Sequence, residues 1–381
     1  MTTPEPPCWV ADRRGTWSLK WDRWADRPGV LPLWVADMDV AAPPVVLAAL
    51  RERLDHGVLG YTREPEALGA ALAGWCARRH GWAVDPAAVM AFPGTMIAAR
   101  LIARVLGRPG APGIVLTPTY PPLRAVAGHA GQCAVEVPLV ETAAGWRLDH
   151  AALERIDGPA GGILWLCSPH NPTGRIWDVA ELAALAALAR RLGLRVVADE
   201  VWADGALPGA RRHRPFPAAA PDLAARTITL FSIGKSFNLP GLGLAAAVVP
   251  DPAERRALRA AAAELVPYPT APALVAAVAA WSGADAWVDA LAADIATRVD
   301  ATLAGLRAAG LRVHRPEATP LLWIPLGERV AGDPARAALA AGVGLSEGDP
   351  FGAPGWVRLN AAADPALLAE AVARLARLVA G

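Results

Sequence analysis

Short apolar runs separated by stretches of helical periodicity organise the middle of this chain. Ile114–Thr117, Gly162–Cys167, Arg195–Ala198, Thr227–Ser232 and Leu244–Val249 are nearly continuous in apolar residues. That is the pattern of strands buried on both faces, not the alternation of a half-exposed strand. Met96–Leu106, Val179–Leu192 and Pro252–Leu265 carry apolar positions at helical spacing. Such a succession predicts an α/β fold with a mainly parallel central sheet covered by helices on both faces.

From about Asp285 the pattern changes. A long helix to Ala309 is followed by a strand near Leu321–Leu326, a helix near Pro334–Ala341, a strand at Trp356–Leu359 and a last helix from Pro365. This predicts a large domain over residues 46–284 and a smaller α/β domain over 285–381, with the N-terminal segment 1–45 packing against the small domain.

Composition narrows the function classes. Hydrophobic residues are 54% and charged residues 19% of 381, with a net charge of +1. A sizeable core is available, and no charge block points to nucleic acid or an anionic membrane. Four scattered cysteines, with no partnered spacing, argue against a zinc site or a disulfide framework and fit a reducing cytoplasm. The N-terminus carries no basic-then-apolar leader pattern, and the longest apolar runs are broken by Gly, Pro or charge, so neither a signal peptide nor a membrane span is expected.

Arginine has displaced lysine almost everywhere: only Lys20 and Lys235 remain. Guanidinium replaces an amine wherever charge alone is needed, but it forms no imine, so a surviving lysine points to chemistry or to chance survival. Lys235 follows the run Thr227–Ser232, at the carboxyl end of a strand, where open α/β sheets bind ligands. A nucleotide-loop reading of Gly234-Lys235-Ser236 fails, because the glycine required six residues before the lysine is Thr229. Gly241-Leu242-Gly243 imitates part of a dinucleotide fingerprint but precedes a strand instead of opening a helix.

Other strand ends carry further candidates. Asp199, after Arg195–Ala198, is a surface turn or cap, or the partner of a protonated ring nitrogen. Asn171, in Ser168-Pro169-His170-Asn171-Pro172-Thr173-Gly174, sits among ordinary turn formers, yet it is one of only three asparagines. Phe92-Pro93-Gly94-Thr95-Met96 opens a helix, which suits either a plain Thr95 N-cap or an anion on free N–H groups. Tyr120 is a core residue or a stacking platform.

Asn171, Asp199 and Lys235, in this order at strand ends, resemble the fold-type I enzymes that use pyridoxal 5'-phosphate (PLP), in aminotransferase class I/II. Trp34-Val35-Ala36-Asp37-Met38-Asp39, His56–Thr62, Leu166–Gly174, Lys235–Pro240 and Val357-Arg358-Leu359-Asn360 are similar to segments of the MalY/PatB branch, the cystathionine β-lyases or C–S β-lyases. The resemblance implies the aspartate-aminotransferase fold. It implies Lys235 as the Schiff-base lysine, Asp199 against the pyridine nitrogen, Asn171 on the phenolic oxygen, and Tyr120 stacked on the ring. Gly94, Thr95, Met96 and Ser232 would hold the phosphate. Tyr61 would reach the phosphate of the partner in a homodimer with shared sites. Arg358, helped by backbone near Ala36, would grip the substrate carboxylate.

Three departures stand out. Trp202 occupies a position where the branch has His and wider relatives have Tyr, so it can donate to the ring oxygen but cannot exchange a proton near neutrality. Gly234 replaces a small hydroxyl residue, and residues 205–214 are rich in Gly and Arg. The implied activity is β-elimination of thiol from an L-cysteine S-conjugate or a cystathionine-like thioether. The alternatives are an aminotransferase, a decarboxylating and deaminating enzyme on an amino-acid conjugate, or a PLP-binding regulatory protein.

Overall fold

A computed structural model describes residues 7–10 and 12–381. At its centre is a seven-stranded sheet of β1 (Val89–Phe92), β2 (Pro112–Thr117), β3 (Cys133–Pro138), β4 (Ile163–Cys167), β5 (Arg195–Asp199), β6 (Thr227–Ser232) and β7 (Ala245–Val248). The order is β1-β7-β6-β5-β4-β2-β3, parallel throughout except at β7. The connection into β7 holds only the turns Ile233–Ser236 and Pro240–Leu242. Without a crossover helix the chain cannot return to the opposite edge, so β7 runs antiparallel.

The longer helices are α1 (Pro44–Asp55), α2 (Glu66–His80), α3 (Thr95–Leu106), α4 (Val179–Arg191), α5 (Pro252–Leu265), α6 (Ala271–Gly283), α7 (Asp285–Ala308) and α8 (Pro365–Ala380). Along β4 the side chains alternate between two cores. Ile163, Trp165 and Cys167 join Leu101, Ile102 and Leu258 from α3 and α5, while Leu164 and Leu166 join Leu182, Leu185 and Leu188 from α4. Both faces are therefore covered, as the unbroken apolar runs require.

A three-stranded antiparallel sheet of β8 (Leu321–Ile324), β9 (Ser346–Glu347) and β10 (Val357–Asn360) follows, in the order β8-β10-β9. Leu31–Pro32 pairs in parallel with Val343–Gly344. The largest hydrophobic cluster includes Leu33, Met38, Trp75, Phe237, Trp281, Leu322 and Leu375, joining the start, middle and end of the chain. Among the described residues no single helix is long and apolar enough to cross a membrane; α6 and α7 reach that composition only together and meet at 83°.

The expected strands and helices appear within a few residues. β1, β3, α1, α2 and α6 were not legible. β1 is only four residues long, and β3 is an edge strand with mostly exposed side chains, so its sequence lacks the apolar run of its neighbours.

Strand register brings the candidate residues together. Phe92 and Ser232 both pair with Ala245, and Cys167 is level with Asp199, which is level with Leu230. The carboxyl ends of β1, β4, β5 and β6 thus form one edge, and the segments leaving it carry Gly94, Asn171, Asp199 and Lys235.

Candidate active site

Lys235 is raised above that edge by a capped turn. Ser232 accepts a hydrogen bond from the Gly234 N–H at 3.0 Å and donates its own proton to the Leu244 carbonyl at 2.7 Å. Lys235 Nζ donates to the Ala36 carbonyl at 3.0 Å and lies 5.4 Å from the centroid of the Trp202 ring. Burial pulls the amine's pKa down to about 8, with Arg358 acting in the same direction and Asp37 and Asp199 opposing. The neutral, nucleophilic form is thus a much larger fraction near neutrality than in an ordinary lysine.

A cavity of about 300 Å³ surrounds it, lined among others by Ala36, Gly94, Thr95, Met96, Tyr120, Asn171, Asp199, Trp202, Ser232, Lys235 and Arg358. Asp199 is 3% exposed. Burial raises its carboxyl pKa to about 6, against the opposing influence of the Val201 N–H and Lys235. A cationic ring nitrogen is the kind of partner such a carboxyl lacks. Burial also raises the Tyr120 phenol.

Helix α3 begins at the cavity. Its cap is Gly94, at φ +138° and ψ 147°, not Thr95, which is already helical, and no side chain caps it. By contrast, Asp178, Asp251, Thr270 and Asp364 cap α4, α5, α6 and α8 with their side chains. The first-turn N–H groups of α3 have no intrahelical acceptor and open onto the cavity, a cradle suited to a phosphate.

Arg358, 5% exposed, donates to Asn171 Oδ1 at 2.9 Å, the Trp34 carbonyl at 3.1 Å and Ser346 Oγ at 3.4 Å. These acceptors are neutral, and Nε is buried without a partner. Burial lowers its pKa to about 10. A desolvated guanidinium with spare donors is built to receive a planar anion.

Residues 34–39 belong to no strand, yet almost every carbonyl there is taken by a side chain. Trp34 receives Arg358 and Ser346, Ala36 receives Lys235, and Met38 receives Asn238 Nδ2 at 2.8 Å. Between them the chain bends at Val35 and Ala36, and the Val35 and Asp37 carbonyls converge on Asn360 Nδ2, at 2.9 and 2.7 Å. Below, the Asp39 carboxylate is buried against Lys20 Nζ (2.8 Å), Trp21 Nε1 (2.9 Å) and Arg13 Nη1 (3.0 Å).

The structure thus gathers every sequence-derived candidate around one cavity except Tyr61, which is fully exposed and outside it. Ser232 lines the cavity, but its single proton is committed to Leu244, so donation to a phosphate would require breaking that bond. Asn238, Asn360 and Lys20 were missed as contributors. Their scarcity was a signal, and it marked both lysines equally: Lys20, 0% exposed, makes an ion pair under the segment, whereas Lys235 faces the cavity. An aldehyde-bearing pyridine phosphate fits this set: an amine for the aldehyde, a buried carboxyl, an amide, an aromatic ring and an uncapped helix start.

Comparison with known proteins identifies the family. A family model described as aminotransferase class I and II matches residues 28–375. The chain is 32% identical to cystathionine beta-lyase PatB of Bacillus subtilis over 96% of its length and 97% of that protein's. It is 34% identical to protein MalY of Escherichia coli, covering 96% of each. The crystal structure of OvoB superposes with a TM-score of 0.92 at 34% identity, covering 97% of this chain and 98% of that one. Cystalysin from Treponema denticola, which contains a pyridoxal 5'-phosphate cofactor, superposes with a TM-score of 0.90 at 26% identity over 99% of each chain.

Proposed function

The chain belongs to the class I and II aminotransferase family, within its MalY/PatB branch, and from that premise we propose that it is a PLP-dependent C–S β-lyase. The cofactor is pyridoxal 5'-phosphate. The substrate is an L-cysteine S-conjugate or a cystathionine-like thioether; with one water it yields thiol, pyruvate and ammonia. The observation that carries the reading is the buried amine of Lys235, held between Ala36 and Trp202 in a cavity that also presents Asp199 and Arg358.

When bound, the cofactor supplies an aldehyde for covalent attachment and an electron-withdrawing ring. Lys235 Nζ is the group assigned to attachment and then to removing the proton from the substrate α-carbon. Asp199 would keep the ring nitrogen positively charged. The guanidinium of Arg358 fixes the substrate carboxylate, orienting the α-proton toward Lys235. Asn171 Nδ2 would donate to the phenolic oxygen and Tyr120 would stack on the ring; Gly94, Thr95 and Met96 would hold the phosphate, joined by Ser232 once its hydroxyl leaves the Leu244 carbonyl. Trp202 closes the wall beside Lys235 without adding a titrating group.

The residue ranges 1–45, 46–284 and 285–381 serve as the N-terminal segment, large domain and small domain of this reading. A homodimer with shared sites is part of it. Tyr61 is exposed beside exposed Val58 and Leu59, and Thr62 is tied to Pro269, next to exposed Tyr268. An apolar, aromatic strip of this kind suits a second copy of the chain. The cytoplasm suits four free cysteines, two of them exposed. Neither nucleic acid nor a membrane is assigned as a partner.

Incubating the PLP-loaded chain with S-substituted cysteines tests the reading. Thiol and pyruvate are expected in equal amounts. Formation of the keto acid of the intact conjugate, without free thiol, would overturn it in favour of transamination.

A further inference from the structure

The two side chains at the centre of the proposed chemistry bind carbonyls two residues apart in one segment. Arg358 takes the Trp34 carbonyl and Lys235 takes the Ala36 carbonyl. The chain bends at Val35 and Ala36, so the segment is a ruler between the guanidinium and the amine only while that bend is held. A ruler must be held in register, and this one lies outside any sheet.

Each of the two side chains is followed within three residues by an asparagine that grips the segment. Asn360, two residues after Arg358 on β10, donates to the Val35 and Asp37 carbonyls on either side of Ala36, while its Oδ1 accepts from the Ala362 N–H at 2.9 Å. Asn238, three residues after Lys235, is held at φ +54°. It accepts from the Met38 N–H at 2.9 Å and donates to the Met38 and Val40 carbonyls at 2.8 and 2.7 Å. These are two of only three asparagines in the chain. A left-handed, non-glycine residue persists where its surroundings over-determine it.

We propose that Asn360 and Asn238 are positioning residues that lock residues 34–40 so that the Ala36 carbonyl is the resting acceptor of the Lys235 amine, at a fixed spacing from Arg358. Asn360 bridges the Val35 and Asp37 carbonyls, one on each side of Ala36, and so holds the bend that aims the Ala36 carbonyl at Lys235. Asn238 ties the lysine turn to the same segment. This inference rests on the roles proposed above for Lys235 and Arg358, and it is independent of the leaving group.

The test exploits the lysine count. In the full chain labelled with 13C at lysine Cε and free of cofactor, two signals are expected, and Lys20, sealed against Asp39, serves as the internal reference. The charged groups facing Lys235 are Asp199 from β5, Asp37 from the segment and Arg358 from β10; none is altered by the substitutions. An ammonium binds a carbonyl more strongly than a neutral amine does, so Asn360→Ala lowers the Lys235 titration midpoint by ~0.5–1 pH unit and leaves the Lys20 signal in place. Asn238→Gly keeps the left-handed backbone and removes only the carboxamide; it shifts the midpoint in the same direction by less. In the PLP-loaded enzyme, Asn360→Ala lowers kcat for thiol release from S-methyl-L-cysteine by roughly tenfold, with visible absorbance retained. A Lys235 titration that superposes on the unaltered chain in Asn360→Ala overturns the inference; if that variant does not fold, an unshifted titration in Asn238→Gly does so. If the unaltered chain turns over no cysteine conjugate, the proposed reaction falls, but the lysine titration still decides this inference.

Discussion

Arg358 Nη1 and Asn171 Oδ1 are joined by a 2.9 Å hydrogen bond, and that bond orients both side chains. A guanidinium only donates, so the oxygen of the Asn171 carboxamide must face Arg358, and Nδ2 is left for an acceptor in the cavity. The residue assigned to the substrate carboxylate therefore sets the donor assigned to the cofactor oxygen. The same contact leaves Arg358 with only neutral partners, which keeps its charge available.

Arg358→Lys separates charge from geometry. An ammonium keeps the positive charge but loses the planar fork and cannot hold Asn171, Trp34 and a carboxylate together. The expected result is a fall in kcat/KM for a cysteine conjugate of roughly 10²-fold, about 3 kcal/mol, carried mainly by KM. Steady-state kinetics across substrate concentrations measures it. An unchanged KM would remove Arg358 from carboxylate recognition.

Asp199 gives a pH dependence whose sign can be worked out. Burial raises its pKa from 3.8 to about 6, so the folded chain without cofactor holds a proton that the unfolded chain releases earlier. Stability at this group is highest at low pH and declines as pH rises through that interval, by at most about 3 kcal/mol, then levels off. Asn cannot ionise, so Asp199→Asn removes the decline. The difference in Tm between Asp199→Asn and the unaltered chain, both without cofactor, grows from pH 5 to pH 7.5 when followed by circular dichroism. A pH-independent difference would show that Asp199 stays ionised throughout. With PLP present the order reverses, because only the carboxylate holds the ring nitrogen charged, and Asp199→Asn is expected to lower activity by orders of magnitude.

The lysine assignment has a direct chemical check. Borohydride reduction of the PLP-loaded chain is expected to fix the label on the peptide containing Lys235 and to leave Lys20 unmodified, since Lys20 is 0% exposed and paired with Asp39. Peptide mass spectrometry locates the label. Lys235→Arg should take up none, because guanidinium forms no imine near neutral pH. A label on Lys20 would dissolve the account of the cavity.

The sequence exposed the chemistry better than its support. Lys235, Asp199 and Asn171 were readable because each follows an apolar run and belongs to a motif, and the fold places such ends together. The grip on residues 34–40 was not. Asn238 reaches Met38 across 200 positions and Asn360 reaches Val35 across 325, and no local pattern encodes such pairs. Thr95 looked like a helix cap by residue preference, yet the cap is Gly94. A side-chain cap would occupy N–H groups that the proposed phosphate site uses, so the local rule is overridden at a proposed site. β3 was missed because its burial comes from its neighbour β2, to which it contributes mostly exposed positions.

Tyr61 allows the proposed dimer and the shared site to be tested together. It is fully exposed and outside its own chain's cavity, so a role at the phosphate demands that it act in the neighbouring subunit. Tyr61→Ala is expected to weaken PLP binding, and Lys235→Ala to abolish turnover. When the two variants are mixed and allowed to exchange subunits, each mixed dimer carries both lesions in one site and none in the other. Random pairing then restores about one quarter of the unaltered activity. If Tyr61 serves its own chain, every site in the mixture lacks either the tyrosine or the lysine, and no activity returns beyond the sum of the parents. Sedimentation of the unaltered chain must show a dimer for either outcome to count; a monomer with full activity would eliminate the shared site outright.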